Sequence, residues 1–363
     1  MTNQVYNPKF LFFSRIISVI IAPFYLFFNL FRKTYSLDEV EIKSILVSEY
    51  HRIGDVFLII PALKVLKSTF PDSKLVLLCC ESAKDLVTDL NIADEVVSVF
   101  VPWTNWEWSP VQWLRVRSLA RSFRKRNIDL AIDFKGDFRN SWFLWHVGSK
   151  IRLGYTATGG SYFFTYPKSF PFEEHQTQRA LSLIYGIGCN KDGEKEKNPI
   201  YNDSGSIVCH AGAADPRRAW PIEKWTELIK SISRYENISI VKTLETEDLI
   251  QQLEEQEFSI DVFKGNLVMF KNWLKNQKLL IGTDSMPGHL ASYLGLPVVS
   301  VFGLQNPKLT KPVGQWTAIV KPNTSCKHKR DHWRLCEKCI SSISVHQVES
   351  AVNNLLLQVK RQG

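Results

Sequence analysis

Three short stretches carry residue types that could handle an activated, anionic substrate. The segment GTDSMPGHL (282–290) closes an apolar run, KLLIG, with Gly282 and then sets Asp284, Ser285, Met286 and His289 along a turn into a short helix that should start near Pro287 and end at Gly295. A helix amino terminus offers unpaired N–H groups and a positive dipole end, which suits a diphosphate. Against this, Asp284 or Ser285 as a simple cap and His289 as a satisfied core histidine would produce the same letters. The segment HAGAADPRRAWP (210–221) also leaves an apolar run. Its small residues Ala211, Gly212 and Ala213 let a ligand approach the backbone, and Arg217 and Arg218 can hold phosphate in bidentate fashion unless they form a solvated basic loop. Trp220 and Pro221 read as packing anchors for that loop. In EYHRIGDVFLIIPALKVL, Gly54 and Asp55 fall where a strand meets a helix, the ligand edge of a parallel sheet. Asp55 either caps that helix or turns its carboxylate toward a ligand, and Pro61 implies that the regular helix starts near it or kinks there.

Other groups admit several uses. Cys326, His328, His332, Cys336 and Cys339 cluster late in the chain, with the last two cysteines in CxxC spacing. Zinc is one use of Cys326, Cys336 and Cys339; a basic loop with Lys327, Lys329, Arg330 and Arg334, or thiols that pair on oxidation, is the other. Trp103, Trp106, Trp108 and Trp113 suit an acceptor lid, an interfacial patch or the core. GYTATGG (154–160) lacks dinucleotide-binding spacing, and no GxxxxGK[ST] sequence exists, which disfavours kinases, ATPases and ordinary dehydrogenases.

These loops need elements to aim them. Short apolar runs alternate with amphipathic stretches: SILVS, KLVLLCC, EVVSVF and DLAIDF, then, beyond a polar stretch, SIVCH, NISIVK, KLLIG and PVVSVFG. Such alternation predicts parallel sheets with crossover helices. At 363 residues the chain suits two α/β domains with a cleft between them. Expected boundaries are an apolar segment at 1–36, a first domain at 37–190, a linker at 191–205, a second domain at 206–343 and a closing helix at 344–363, opened by Ser344 and Gln347 in capping-box spacing. In the helix expected over 222–233, Trp225, Leu228, Ile229 and Ile232 form one apolar stripe.

From Phe10 to Phe31 the chain is almost wholly apolar, broken by Ser14, Arg15, Ser18, Pro23 and Asn29 and closed by Arg32 and Lys33. About 20 apolar residues span a bilayer, but Pro23 and Arg15 favour an interfacial or re-entrant anchor, with a helix on the protein's own core as the alternative. No small-residue cleavage site follows, so a removed signal peptide is not expected. The flanking cations suit a cytoplasmic membrane face. The net charge of +9 favours acidic partners. No nucleic-acid recognition module is present, and no nucleic-acid partner is expected. The seven cysteines, several within apolar runs, fit a reducing compartment.

Taken in order, HRIGDVFLIIPALKVLKSTFPDSKL, HAGAADPRRAWPIEKW and IGTDSMPGHLASYLGLPVVSVFGLQNPKLTKPVG resemble glycosyltransferase family 9, the heptosyltransferases of the lipopolysaccharide inner core. The resemblance runs from about Ile45 to the carboxyl terminus, and CISSISVHQV (339–348) also matches the family's ending. It implies the GT-B architecture, two Rossmann-like domains facing a central cleft, and an inverting, metal-independent transfer of heptose from ADP-heptose, with no cofactor. Another nucleotide-sugar (UDP or GDP), or a non-catalytic membrane-attached nucleotide-sugar-binding protein, is the alternative. The implied partners are the donor, an anionic glycolipid or lipopolysaccharide-type acceptor, and the membrane surface through residues 10–31, on the cytoplasmic face of a bacterial inner membrane. By the family pattern Asp55 is the general base, with Arg52 and Gly54 on the acceptor side. Ala211, Gly212, Ala213, Arg218, Asp284, Ser285, Met286 and His289 bind the donor, with Glu247 as an acid toward the ribose. Arg218 stands where the family usually has lysine. The family's DSGPMH reads DSMPGH here, which exchanges Met286 and Gly288 and alters the donor pocket.

Overall fold

The computed structural model describes residues 5–104, 109–190, 201–213, 215–330 and 332–362. The chain divides into two compact units, Met1–Lys195 and Glu196–Gly363. Trp106, Trp108 and much of the expected linker fall outside the described residues.

In the first unit the strands are β1 (Ser44–Glu49), β2 (Lys74–Cys79), β3 (Glu95–Ser98), β4 (Leu130–Asp133), β5 (Ile151–Tyr155) and β6 (Tyr166–Lys168). The helices are α1 (Pro8–Asn29), α2 (Ile53–Thr69), α3 (Lys84–Asp89), α4 (Pro110–Ser122), α5 (Phe138–Val147) and α6 (Gln176–Tyr185). Among the described residues the sheet has six strands, all parallel, in the order β3-β2-β1-β4-β5-β6. Helices cover both faces, so the central strands are buried except at the first residues of β1 and β2, and they read as near-continuous apolar runs. Helix α2 starts at Ile53, not near Pro61, and continues through that proline. It packs on the sheet and under α6, with Val56 to Ile60 all buried, and that burial offsets the hydrogen bond Pro61 cannot make.

Helix α1 lies against this unit through the very residues that interrupt its apolar run. Arg15 donates from Nε and Nη2 to the Ala157 carbonyl (3.1 and 3.0 Å), and Ser18 Oγ accepts from Gly160 N (2.7 Å). Asn29 donates to the Tyr162 carbonyl (2.7 Å) and accepts from Trp145 Nε1 (2.8 Å). The loop receiving the helix is the glycine-rich 154–160 stretch. Gly159 has φ +103°, and a Cβ there would lie 2.5 Å from Ser18 Oγ, so only glycine permits the approach. The opposite face of α1 exposes Phe12, Phe13, Val19, Ile20 and Phe24, and Phe31 just beyond the helix is exposed as well.

The second unit contains β7 (Ile207–His210), β8 (Ile238–Val241), β9 (Asp261–Phe263), β10 (Leu279–Thr283), β11 (Val298–Val301) and β12 (Thr317–Val320). Its helices are α7 (Ile222–Ile232), α8 (Glu247–Glu255), α9 (Leu267–Leu274), α10 (Met286–Leu294), α11 (Pro307–Thr310), α12 (Glu337–Ser341) and α13 (Val345–Gln362). Its sheet is again parallel, in the order β12-β11-β10-β7-β8-β9. The predicted stripe of α7 is fully buried. Helix α13 packs on α7 and β12, and Ser344 and Gln347 close its start reciprocally, Ser344 N donating to Gln347 Oε1 (2.9 Å) and Gln347 N to Ser344 Oγ (3.2 Å).

Candidate active site

In each unit the strand order reverses beside the first strand, between β1 and β4 and between β7 and β10. Loops from the carboxyl ends of such a pair run to opposite sides of the sheet and leave a crevice for a ligand. Asp55 follows β1, Ala211–Arg218 follows β7, and Asp284–His289 follows β10, so all three sequence-selected segments sit at these points.

In the first unit, Asp55 occupies the first turn of α2, with Arg52 exposed at the cap position and Gly54 between them. Its carboxylate is about a quarter exposed and faces Lys135, whose Nζ is 3.0 Å from Oδ2 (side-chain exposure 23%). Gln176 Nε2, from the start of α6, donates to Oδ1 (3.2 Å). Burial works to raise this carboxyl, but Lys135 foremost, then His51 and Gln176, hold it at about 2. Lys135 Nζ also lies 3.5 Å from the fully buried Glu49, the last residue of β1, which has His51 Nδ1 at 3.6 Å. One lysine, from the loop after β4, thus bridges two carboxylates from the end of β1 and the helix that follows it.

Behind it sits Asp133, the last residue of β4. Burial pushes its carboxyl up to about 6 despite bonds from Asn140 Nδ2 (2.9 Å) and Gly136 N (2.8 Å). The Asn140 amide is fixed in that sense because its oxygen accepts from both Tyr50 OH (2.9 Å) and Trp103 Nε1 (3.0 Å). Trp113 packs at a tilt against Trp103 (5.0 Å) and edge-on to Trp142 (5.2 Å), and Trp103 is a core residue. Sequence reasoning missed Lys135, Asp133, Asn140, Glu49 and Gln176. The available signal was FKGD directly after DLAID, a strand-end cluster like Gly54-Asp55.

In the second unit the structure separates the two arginines. Asp215 caps the turn Pro216–Arg218 and takes the Arg217 guanidinium in a fork, Nε to Oδ1 at 2.9 Å and Nη2 to Oδ2 at 2.8 Å. Arg218 instead reaches across to the β10 loop, where Nη1 is 3.4 Å from the Asp284 carbonyl and 3.8 Å from its Oδ2. Those contacts are long, and Arg218 Nε is buried with no partner among the described residues, so this guanidinium retains capacity for an anion.

Ser285 donates to the Thr283 carbonyl (3.2 Å) and does not cap α10, which leaves the first N–H groups of that helix unclaimed by its side chain. Met286 is half-buried at the first helical position, and His289 is buried one turn on. A Cβ on Gly288 would lie 3.2 Å from Ser300 Oγ and 3.3 Å from Pro312 Cγ, so glycine serves the packing of α10 on β11. Gly282 sits at the end of β10 with more room, its nearest would-be neighbour at 3.4 Å.

Ala211, Gly212 and Ala213 are buried beneath the β7 loop. The acid beside that loop is Glu245, with Oε2 3.4 Å from the position a Gly212 Cβ would take. A bond from Thr243 holds Glu245 below its ordinary value. Glu247, the acid selected from the sequence, is half exposed on α8 and pairs with Lys242 at 3.3 Å. His210 ends β7, and burial pushes it down to about 4, so it is neutral at physiological pH. The late cysteines are brought together with His328, away from both of these loops in sequence.

Each unit is a doubly wound parallel sheet with its candidate residues at the strand-order reversal, Asp55 in the first unit and the Arg218 and Asp284 loops in the second. Residues 116–340 match the sequence model of glycosyltransferase family 9 (heptosyltransferase), and the chain belongs to that family. It is a glycosyltransferase. It is 20% identical over 302 residues to the lipopolysaccharide core heptosyltransferase OpsX of Haemophilus influenzae, covering 77% of this chain and 84% of that one. Its fold is similar to that of a family 9 glycosyl transferase from Veillonella parvula, with a TM-score of 0.73 at 20% identity over 90% of this chain and 100% of that one. It is also similar to E. coli heptosyltransferase WaaC solved with ADP, with a TM-score of 0.70 at 17% identity over 86% of this chain and 99% of that one.

The Lys135 contact makes a direct prediction. In Lys135→Met the Asp55 carboxyl should titrate higher than the value of about 2 it has in the intact protein, because burial would then be opposed only by His51 and Gln176. Carboxyl-carbon NMR of the free protein reads the midpoint; a midpoint that stays near 2 contradicts the assignment.

Proposed function

We propose that the chain transfers heptose, with inversion, from ADP-heptose to a lipopolysaccharide-core sugar or another membrane-proximal glycan acceptor, without a metal in the chemistry. The observation that carries this reading is the Arg218 guanidinium, underused by the protein and aimed at the Asp284 turn where α10 begins. An arginine and a helix amino terminus on one patch form a preorganised site for two phosphates. The family match and the ADP in the WaaC structure support a diphosphate nucleotide as the ligand. Ala211, Gly212 and Ala213 give it backbone access, Met286 and His289 line the turn, and Glu245 is better placed than Glu247 to meet the ribose.

The acceptor hydroxyl oxygen attacks the anomeric carbon from the face opposite the diphosphate. The carbon–oxygen bond to ADP breaks with its electron pair, the hydroxyl proton passes to Asp55, and Arg218 with the α10 N–H groups takes up the charge on the departing ADP. A carboxylate held at about 2 is a weak base. It suffices where the sugar carbon is already strongly cationic and the attacking hydroxyl correspondingly acidic, so proton transfer comes late, and Lys135 then steadies the ionised form between turnovers.

We further read α1 as a monotopic anchor on the cytoplasmic face of the inner membrane. The helix is long and apolar enough to cross a bilayer, but crossing would break the bonds of Arg15, Ser18 and Asn29 to residues 145–162. Lying in the interface keeps those bonds and buries the exposed phenylalanine face in lipid. At its carboxyl end Arg32 donates to the Trp145 carbonyl (3.0 Å) and Arg124 to the His146 carbonyl (3.0 Å). Burial, with Arg117, Arg121, Arg124 and Arg32 around it, pushes His146 down to about 3. Anionic headgroups or acceptor phosphates match that patch.

Two measurements test these readings. Asp55→Asn should lower kcat by about 10²–10⁴ while ADP affinity in calorimetry stays within about threefold, and Arg218→Ala should weaken ADP at least about tenfold. Undiminished turnover in Asp55→Asn, or a wild type that binds UDP or GDP but not ADP, sinks the assignment. Separately, replacing Phe12, Phe13, Val19 and Ile20 with serine should reduce sedimentation with phosphatidylglycerol vesicles at least about tenfold without changing soluble-donor binding. Equal sedimentation would place the membrane contact elsewhere.

A further inference from the structure

The segment joining β12 to α12 carries the pattern Cys-x-His, a seven-residue spacer, then Cys-x-x-Cys, with Cys326, His328, Cys336 and Cys339. Cys336 is the cap of α12 and Cys339 lies in its first turn, so the helix turns both thiols the same way. A tight turn closed by the bridge between His332 and Leu335 brings the chain back so that Cys326 and His328 face them. His332 lies in that turn, where its Nδ1 accepts from Arg334 N (3.4 Å).

The result is a compact set of four ligand atoms, all within 4.8 Å of one another. His328 Nδ1 is 3.8 Å from Cys326 Sγ, 3.6 Å from Cys336 Sγ and 3.7 Å from Cys339 Sγ. One ring nitrogen carries at most one proton and cannot donate to three sulfurs, so hydrogen bonding does not explain the convergence. A central ion does. With metal–sulfur bonds of about 2.3 Å and a metal–nitrogen bond of about 2.0–2.1 Å, the sulfur–nitrogen edges of a tetrahedron are about 3.6 Å. Three thiolates and a divalent ion leave one net negative charge, which the flanking Lys327, Lys329 and Arg330 offset.

We propose that Cys326, His328, Cys336 and Cys339 bind one tetrahedral, thiolate-preferring transition-metal ion, zinc or iron, that is structural and braces the anion-binding turn of the second unit. The protein fills all four positions, so none is open for a substrate or a water. Helix α12, tied to the ion by two ligands, packs against the turn Pro216–Arg218. Beside it Lys224 Nζ donates to the carbonyls of Ser341 (2.5 Å) and Ile343 (2.7 Å), and Trp220 Nε1 donates to Ile343 (3.1 Å). On its other side Ile340 seats against Gly303, where a Cβ would come within 3.2 Å of it. The ion therefore fixes the platform under Arg218. The metal site stands on its own ligands; only its effect on ADP rests on the donor reading above.

The full chain, expressed with both zinc and iron supplied, should carry about one metal ion per molecule by plasma mass spectrometry. Thiolate-to-metal absorption in the visible range identifies iron, and a colourless, metal-loaded protein identifies zinc; either supports the site. Cys336→Ser and Cys339→Ser should each lose at least about tenfold in bound metal, whereas Cys189→Ser, a buried thiol of the first unit, should keep it. If the site variants fail to fold, the wild type decides the matter: less than about a tenth of an ion per chain, with Cys326, Cys336 and Cys339 freely alkylated or joined in a disulfide, overturns the proposal. Removing the ion with a chelator should lower Tm by several degrees and weaken ADP binding at least about fivefold. Metal present but ADP affinity unchanged on its removal overturns the bracing role and leaves the site and the donor reading intact.

Discussion

The reversal of strand order beside β1 and beside β7 is the constraint on which the rest depends. A parallel sheet wound in one direction from its first strand and then in the other must part its loops at one place, and nowhere else along the carboxyl edge is there comparable room. Each unit places its candidate site residues at that gap. The register of β1 on β4 sets Ser48 opposite Asp133, so Glu49, Asp55 and Lys135 emerge together. The pairing of Gly282 with His210 does the same for the Arg218 turn and the start of α10. The near-complete burial of these strands is therefore part of the site, because a slip of one residue would invert every side chain at the gap.

Within that frame, charge is distributed by short local contacts. Asp215 absorbs Arg217 and leaves Arg218 underused, although the two arginines are adjacent in sequence and equal in chemistry. Lys135 is shared by Glu49 and Asp55, which sets a buried carboxylate and a partly exposed one against a single cation. Both arrangements keep ions in place before any substrate arrives, the preorganisation on which electrostatic catalysis rests. The ligand set at Cys326–Cys339 belongs to the same logic, a constraint set behind the anion turn and away from the chemistry.

Much of this was legible in the letters. Alternating apolar runs gave both sheets, and the Gly282–His289 turn and the Asp55 and Arg218 loops were recognisable because each lies wholly within one strand–turn–helix unit. What stayed hidden depends on neighbours distant in sequence. The FKGD letters mark a strand end, but what Lys135 and Asn140 face follows only from β4 pairing with β1, and what Glu245 faces from β8 pairing with β7. Of the two expectations for Pro61, a start near it does not hold, because burial of α2 on two sides carries the helix from Ile53 through this local stop signal. The GYTATGG loop looked like a failed nucleotide motif, whereas Gly159 is there to let Ser18 of α1 come close. Among the late histidines, only the fold distinguishes His328, which joins the cysteines, from His332, which does not.

The central proposal is that the two units divide the work, with the nucleotide bound by the second alone and the acceptor chemistry carried by the first. Hydrogen–deuterium exchange of the full chain with saturating ADP, in the absence of any acceptor, tests it most directly. Protection is predicted in peptides covering 211–219 and 283–290, with peptides covering 49–56 and 134–140 unchanged. Protection confined to the first unit's loops, or absent from the Arg218 and Asp284 peptides, would contradict the account.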